Sequence, residues 1–292
     1  MHQYLRAIGF SKVRNLNQLK PILDDVIATP TNRSITTTGA DSSLVQITKE
    51  YGDTYGISII GEYDEKNRLT IEHFFPYVLG TTVKWEDSIV IEPHTDKEAY
   101  AGVSENTNIG IPLIFFLHNV VDYVRTKWSN EYTRPLTQVT YGALSIDGKI
   151  LLGIDKDEEQ IRLEERGQRN RNRLLAAAKE GDAEAIESLT LEDIDLYSSI
   201  SKRAKSEDLY TIVDSSFIPY GINSDQYSIM GTILDIQKLK NPCTGEQLYQ
   251  LLIEVNDIQI DIIINAIDLL GEPAVGRRFK GSVWMQGYVY IP

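Results

Sequence analysis

Residues 248–265 read LYQLLIEVNDIQIDIIIN, and this stretch sets the fold class. Ile258, Ile260, Ile262 and Ile264 recur at every second position, the period of a strand with one buried face. Asn256-Asp257 separates two apolar runs, 248–255 and 258–264, and both residues tolerate the left-handed backbone of a tight hairpin. Upstream, 229–236 is a further strand-like run, and 279–290 is a long final one. Residues 267–270 read as a short helical turn between them. Strand, strand, strand, short helix and strand suggest a small five-stranded β-barrel of the OB type over 225–292, with Gly231, Gly281 and Gly287 at its bends. A β-sandwich fragment is the alternative. A self-contained set of strands predicts that a fragment starting near Asp225 folds alone.

Toward the N-terminus, 17–29 has Leu19, Ile22, Leu23 and Ile27 at helical spacing. Strand-like runs follow at 34–38, 43–48, 55–63 and 69–75, with Asp64-Glu65-Lys66-Asn67 as the polar connector of a hairpin. Another short strand fits 88–91. The periodicity predicts a buried helix over 113–124, with Leu113, Phe116, Leu117, Val120, Val121 and Val124 on one face. Asp147-Gly148 between 137–146 and 149–154 is a two-residue hairpin signal. Strands that follow one another without alternating helices argue for an antiparallel α+β domain over 1–154. From 155 the strand signal stops. Residues 156–179 form one long helical pattern rich in Arg and Glu, Gly181-Asp182 breaks it, and Thr190 has the chemistry of a helix cap. Residues 155–224 therefore read as a helical connector between the α+β domain and the barrel.

With 292 residues the chain suits two domains and needs no disulfide or metal staple to bury a core. Hydrophobic residues at 42% and charged residues at 24% exclude wholesale disorder. A net charge of −13 opposes duplex nucleic acid and anionic membranes. The single cysteine, Cys243, rules out an internal disulfide, and it sits in a turn without a local base. The most apolar stretch, 109–121, carries His118 and Asn119 and is too short to span a bilayer. The N-terminus has no long apolar signal segment, which makes the cytoplasm the expected compartment.

Four longer stretches, MHQYLRAIGFSKV at 1–13, AIESLTLEDIDLYSSISKR at 185–203, FIPYGINSDQYSIMG at 217–231 and GEPAVGRRFKGSVWMQG at 271–287, are distinctive. Together they resemble a family of uncharacterised bacterial proteins, found mainly in Gram-positive anaerobes and named as a domain of unknown function. The resemblance implies an intracellular bacterial protein. It implies no activity, substrate or catalytic residue.

Candidate chemistry concentrates on the final strand. One face carries Arg278, Lys280, Ser282, Trp284, Gln286, Tyr288 and Tyr290. Cations followed by aromatics suit a stacking surface for a planar anion or single-stranded nucleic acid. The competing reading packs Trp284 and the tyrosines against the helical block. The 225–292 segment has eight acids against five Lys or Arg, which favours that structural reading. Arg278, Lys280, Trp284 and Tyr288 are the expected contact surface for a ligand or partner, provided no bulge at Gly281 or Gly287 turns part of the set inward.

A second constellation places Glu92, His94, Asp96 and Glu98 at alternate positions, a pattern able to hold a divalent metal or perform acid–base work. Pro93 and the acidity of the segment favour a solvated charge run instead. His73 reads as a half-buried strand histidine, and His118 lacks a helical His-Glu partner. Arg162, Arg166, Arg169, Arg171 and Arg173 interleave with acids on a solvated helix. The 176–185 segment resembles an ankyrin-like helix–turn–helix, and a single copy excludes a repeat fold. Phosphate-binding, dinucleotide-binding and nucleophile-elbow motifs are absent.

These readings favour a non-enzymatic cytoplasmic binding or adaptor protein that uses its C-terminal barrel, without cofactor, for an unidentified protein or small ligand. The alternative is a metal-assisted hydrolase centred on Glu92, His94 and Asp96.

Overall fold

The computed structural model describes residues 2–38, 42–93, 98–106, 111–128, 135–154, 158–220 and 225–291. The chain opens with a 3-10 turn, Gln3–Arg6, and α1 (Leu16–Ala28), capped by the Asn15 side chain accepting from Gln18 N at 3.1 Å. An antiparallel meander follows: β1 (Asn32–Thr37), β2 (Ser43–Gly52), β3 (Tyr55–Tyr63) and β4 (Leu69–Val78). The β3–β4 connector is the hairpin turn that its sequence predicts. Asp64 Oδ1 accepts from Lys66 N and Arg68 N at 2.9 and 2.8 Å, and Asn67 takes a positive φ of 57°.

The remaining strands form one large sheet. They are β5 (Val83–Pro93), β6 (Tyr100–Asn106), β7 (Ile111–Leu117) and, after α2 (Val120–Trp128), the sixteen-residue β8 (Leu136–Leu151). Then come α3 (Glu158–Lys179), α4 (Ala183–Arg203) and the short α5 (Leu209–Ile212). The chain ends with β9 (Ser216–Pro219), β10 (Gln226–Lys240), β11 (Gln247–Val255), β12 (Ile258–Asn265), β13 (Leu269–Leu270) and β14 (Arg278–Val289). The molecule is thus α+β with antiparallel sheets.

The spine of the large sheet is the antiparallel β8–β14 ladder, from Leu151↔Arg278 to Val139↔Val289. On one side β8 pairs with β5, β5 with β6, β6 with β7, and β7 returns to β14. On the other, β14 pairs with β10, β10 with β11, β11 with β12, and β12 returns to β8 in parallel. Both sets of pairings start and finish on the spine. The strands of 225–292 therefore do not have a sheet of their own. Their circuit includes β8, contributed by residues 136–151.

Several local expectations change accordingly. Asp147-Gly148 is not a hairpin turn, because β8 runs straight through it. Asp147 pairs with Ser282 and accepts from its N–H at 3.1 Å, so the ladder absorbs a dipeptide that would otherwise turn. The register shift lies between Ser282 and Val283, where β8 passes from Asp147 to Ser145. It does not fall at Gly281 or Gly287, and the extra residue is Ile146 on β8. Residues 113–117 belong to a strand, not a helix. A run that is apolar at every position fits a helical spacing as readily as a strand, so its β-branched and aromatic content prevails. The helix over 120–128 does form. Thr190 is not a cap: α4 passes through it, and Asp182 caps the helix by accepting from Glu184 N and Ala185 N.

One hydrophobic core joins both sheets, with Ile47, Ile59, Phe75, Leu144, Ile262, Phe279 and Met285 all buried. Gln286 bridges the sheets: its Oε1 accepts from Val78 N at 3.0 Å and its Nε2 donates to Pro76 O at 2.9 Å. A side chain at Gly142 would lie 2.6 Å from Val78 O, so the β4 and β8 backbones meet there without a Cβ between them. By contrast, the α3–α4 hairpin lies largely in solvent, with Ala185 as the buried residue of α4.

Candidate functional site

The geometry most suggestive of ligand chemistry lies at one end of the β8–β14 spine. Lys149 and Lys280 are directly opposed partners there. Like charges in that position destabilise a ladder unless something between them compensates. Tyr210, from α5, occupies that place. Its ring centre lies 4.5 Å from Lys280 Nζ and 5.1 Å from Lys149 Nζ, and its hydroxyl accepts from Lys280 Nζ at 2.9 Å. The hydrogen bond from Lys280 and its charge, reinforced by Lys149, hold the phenol below its ordinary value of 10.0. Among the described residues neither lysine forms an ion pair with a carboxylate.

Arg278 fixes this arrangement from below. It is 5% exposed and donates to three backbone carbonyls, Leu152 at 3.0 Å, Val213 at 2.9 Å and Tyr210 at 2.7 Å. These bonds satisfy a buried guanidinium and tie α5 to the strand. Asp208 orders the same turn by accepting from Tyr210 N at 2.9 Å. Three cations and a phenol thus converge on a half-exposed patch of a chain whose net charge is −13.

The four residues singled out on the final strand separate along it. Arg278 and Lys280 belong to this cluster. Trp284 is 5% exposed and lies in the core, where its Nε1 donates to Asp225 Oδ2 at 2.8 Å. Its ring stacks on Tyr4 at 5.4 Å and packs against His2 and Phe116. Tyr288 is half-buried between His118 and Tyr290, with its hydroxyl pKa raised by burial. It stands eight positions from Lys280, about 26 Å along an extended strand. Sequence reasoning missed Lys149, hidden beside the apparent turn at Asp147-Gly148, and Tyr210, hidden in a segment read as a connector. The only local signal was that Lys149 and Lys280 sit on long strands.

Of the acidic constellation, Glu92 is exposed near the end of β5, and Glu98 accepts from the Tyr100 hydroxyl at 2.8 Å. His94 and Asp96 lie outside the described residues. Among the described residues no group of three His, Cys, Asp or Glu is placed to hold a metal. Burial, with Asp25 nearby, pushes the Cys243 thiol above its ordinary value, the reverse of an activated nucleophile. A shallow cleft of about 420 Å³ borders Ile35, Thr37, Tyr63 and Asp64, but Asp64 is committed to Arg68.

Fold and site together describe an α+β protein with a basic tyrosine cluster on an antiparallel spine, and no described helix is long and apolar enough to cross a membrane. The chain belongs to the family of the domain of unknown function DUF3881, described from E. rectale, whose model matches residues 5–287. No curated protein and no solved structure matches it.

Proposed function

We propose that this chain is a cytoplasmic, non-enzymatic binding protein that recognises an anionic group with its C-terminal strands. The observation that carries the reading is the Lys149–Tyr210–Lys280 cluster. Two lysines held opposite each other, with no carboxylate partner among the described residues, are a persistent positive site on an acidic chain. The Tyr210 hydroxyl adds a neutral donor, and Arg278 holds the platform rigid. We read the circuit β8–β14–β10–β11–β12 as a small barrel of the OB type, one strand of which comes from 136–151. The cluster sits at its rim.

Calorimetric titration with pyrophosphate at low salt tests the proposal. Binding is expected, with Lys149→Ala and Lys280→Ala each weakening it about tenfold, near 1.4 kcal/mol. Affinity should also fall as pH rises through the lowered Tyr210 pKa, because a phenolate neutralises the lysines and repels the anion. Absence of binding by the unaltered chain, or binding by both lysine variants as tight as that of the unaltered chain, sinks the reading.

A further inference from the structure

We infer that the chain carries a second ligand site at the far end of the β8–β14 spine, and that it takes an uncharged oligosaccharide of β-linked hexoses. This site does not rest on the anion reading. It follows first from a symmetry in the strand pairings. β5, β6 and β7 form an antiparallel meander, α2 follows, and β8 returns to pair antiparallel with β5. β10, β11 and β12 form the same meander, the helical turn Ala266–Asp268 follows, and β14 returns to pair antiparallel with β10. In each half the third strand closes in parallel on the spine strand of the other half, β7 on β14 and β12 on β8. The two halves therefore exchange about a pseudo-two-fold axis at the central Ala143↔Met285 pair.

That axis gives the Lys149–Lys280 pair a counterpart. Gln138 lies as far before Ala143 as Lys280 lies before Met285. Tyr290 lies as far after Met285 as Lys149 lies after Ala143, once the extra residue Ile146 is allowed for. Gln138 and Tyr290 are indeed neighbours, with Tyr290 N donating to Gln138 O at 3.0 Å. On its other side Gln138 pairs with Trp85, so Trp85, Gln138 and Tyr290 make one row across three strands. Paired residues share a face, and the outer two backbones stand about 10 Å apart.

The chemistry of this row identifies the ligand. Trp85 is 68% exposed and Tyr290 41%, and Tyr288 braces Tyr290 edge-on at 5.4 Å. Between the rings, the half-buried Gln138 amide has no hydrogen bond to a described residue, so it offers both a donor and an acceptor. Aromatic faces cover the C–H faces of sugar rings, and one amide can serve two adjacent hydroxyls. The row has no ammonium or guanidinium to hold phosphates, and the net charge of −13 opposes a nucleic-acid strand. An extended ribbon of β-linked sugars reaches both rings, whereas a coiled glucan reaches one.

Titration of the full chain with cellohexaose, followed by the indole N–H resonances, tests this. Saturable binding that shifts the Trp85 resonance is expected. Trp85→Ala and Gln138→Ala should each weaken it about tenfold, with the urea unfolding transition unchanged, because both side chains lie at the surface. Pyrophosphate should not compete, so this inference and the anion reading fail separately. The inference is overturned if the unaltered chain does not bind cellohexaose, if both variants bind it as tightly as the unaltered chain does, or if pyrophosphate displaces it. Tighter binding of maltohexaose or of an oligothymidylate also overturns it.

Discussion

The β8–β14 spine and the α3–α4 hairpin are held by opposite means. Along the spine, residues more than a hundred positions apart are paired, and β14 is buried on both faces: Phe279, Val283 and Met285 from one side, Arg278 and Trp284 from the other. In the hairpin the partners are close in sequence, as with Arg171 and Asp193, and most side chains meet water. Burial supplies most of a domain's stability, so the spine governs whether the molecule folds. The hairpin contributes surface, and its stability rests on local helix chemistry.

The largest expected effect follows from the shared strand. A fragment of 225–292 lacks β8, so β12 and β14 each lose their partner across the circuit. That fragment should give poorly dispersed amide resonances, and supplying 135–154 as a covalent addition should restore dispersion. A well-dispersed spectrum from 225–292 alone would show that the spine matters less than its ladder suggests.

Trp284→Ala comes next. It empties a large buried volume beneath Tyr4, His2 and Phe116 and removes the indole donor to Asp225. Urea unfolding should register a loss of about 3–5 kcal/mol. A loss below about 1 kcal/mol would contradict the packing described.

Acid should act on the same body. Burial lowers His118 from 6.5 to about 4, and among the described residues neither ring nitrogen has a hydrogen-bond partner. The folded-state value is the depressed one, so the unfolded chain takes up the proton first. His118 therefore costs no stability above about pH 6.5 and up to about 1.4 kcal/mol for each pH unit on the way down to pH 4. His118→Phe, which suits the surrounding Phe75, Tyr77 and Tyr288 rings, should flatten the acid limb in unfolding series across that window. An unchanged slope would show that other groups set it.

The smallest effect belongs to the hairpin. Gly167 lies inside α3, and an added Cβ there meets nothing within 4 Å. Gly167→Ala should raise helix stability by about 0.5–1 kcal/mol, visible as a higher helical signal while unfolding of the β body stays put. A shift of the whole transition would mean that hairpin and body unfold as one unit.

What the residues announced by themselves was local. Asn256-Asp257 makes its tight turn with φ of 48° and 62°, Asp64 organises the β3–β4 connector, and the 158–179 pattern becomes α3. In each case a few neighbouring side chains and one backbone preference suffice, and the α+β class follows from their order. Tertiary structure decided the rest. Asp147-Gly148 carries the chemistry of a turn, yet it extends because β14 offers a full ladder to both sides of it. Residues 113–117 are apolar at every position and so fit a helical spacing as readily as a strand, and pairing with β6 makes them a strand. Lys149, Tyr210, Arg278 and Lys280 come from three elements separated by as much as 131 positions, and only the pairing of β8 with β14 and the docking of α5 bring their charges together. Hydrogen-bonded ladders and burial act between distant segments, and no short window of sequence contains both halves of such an interaction.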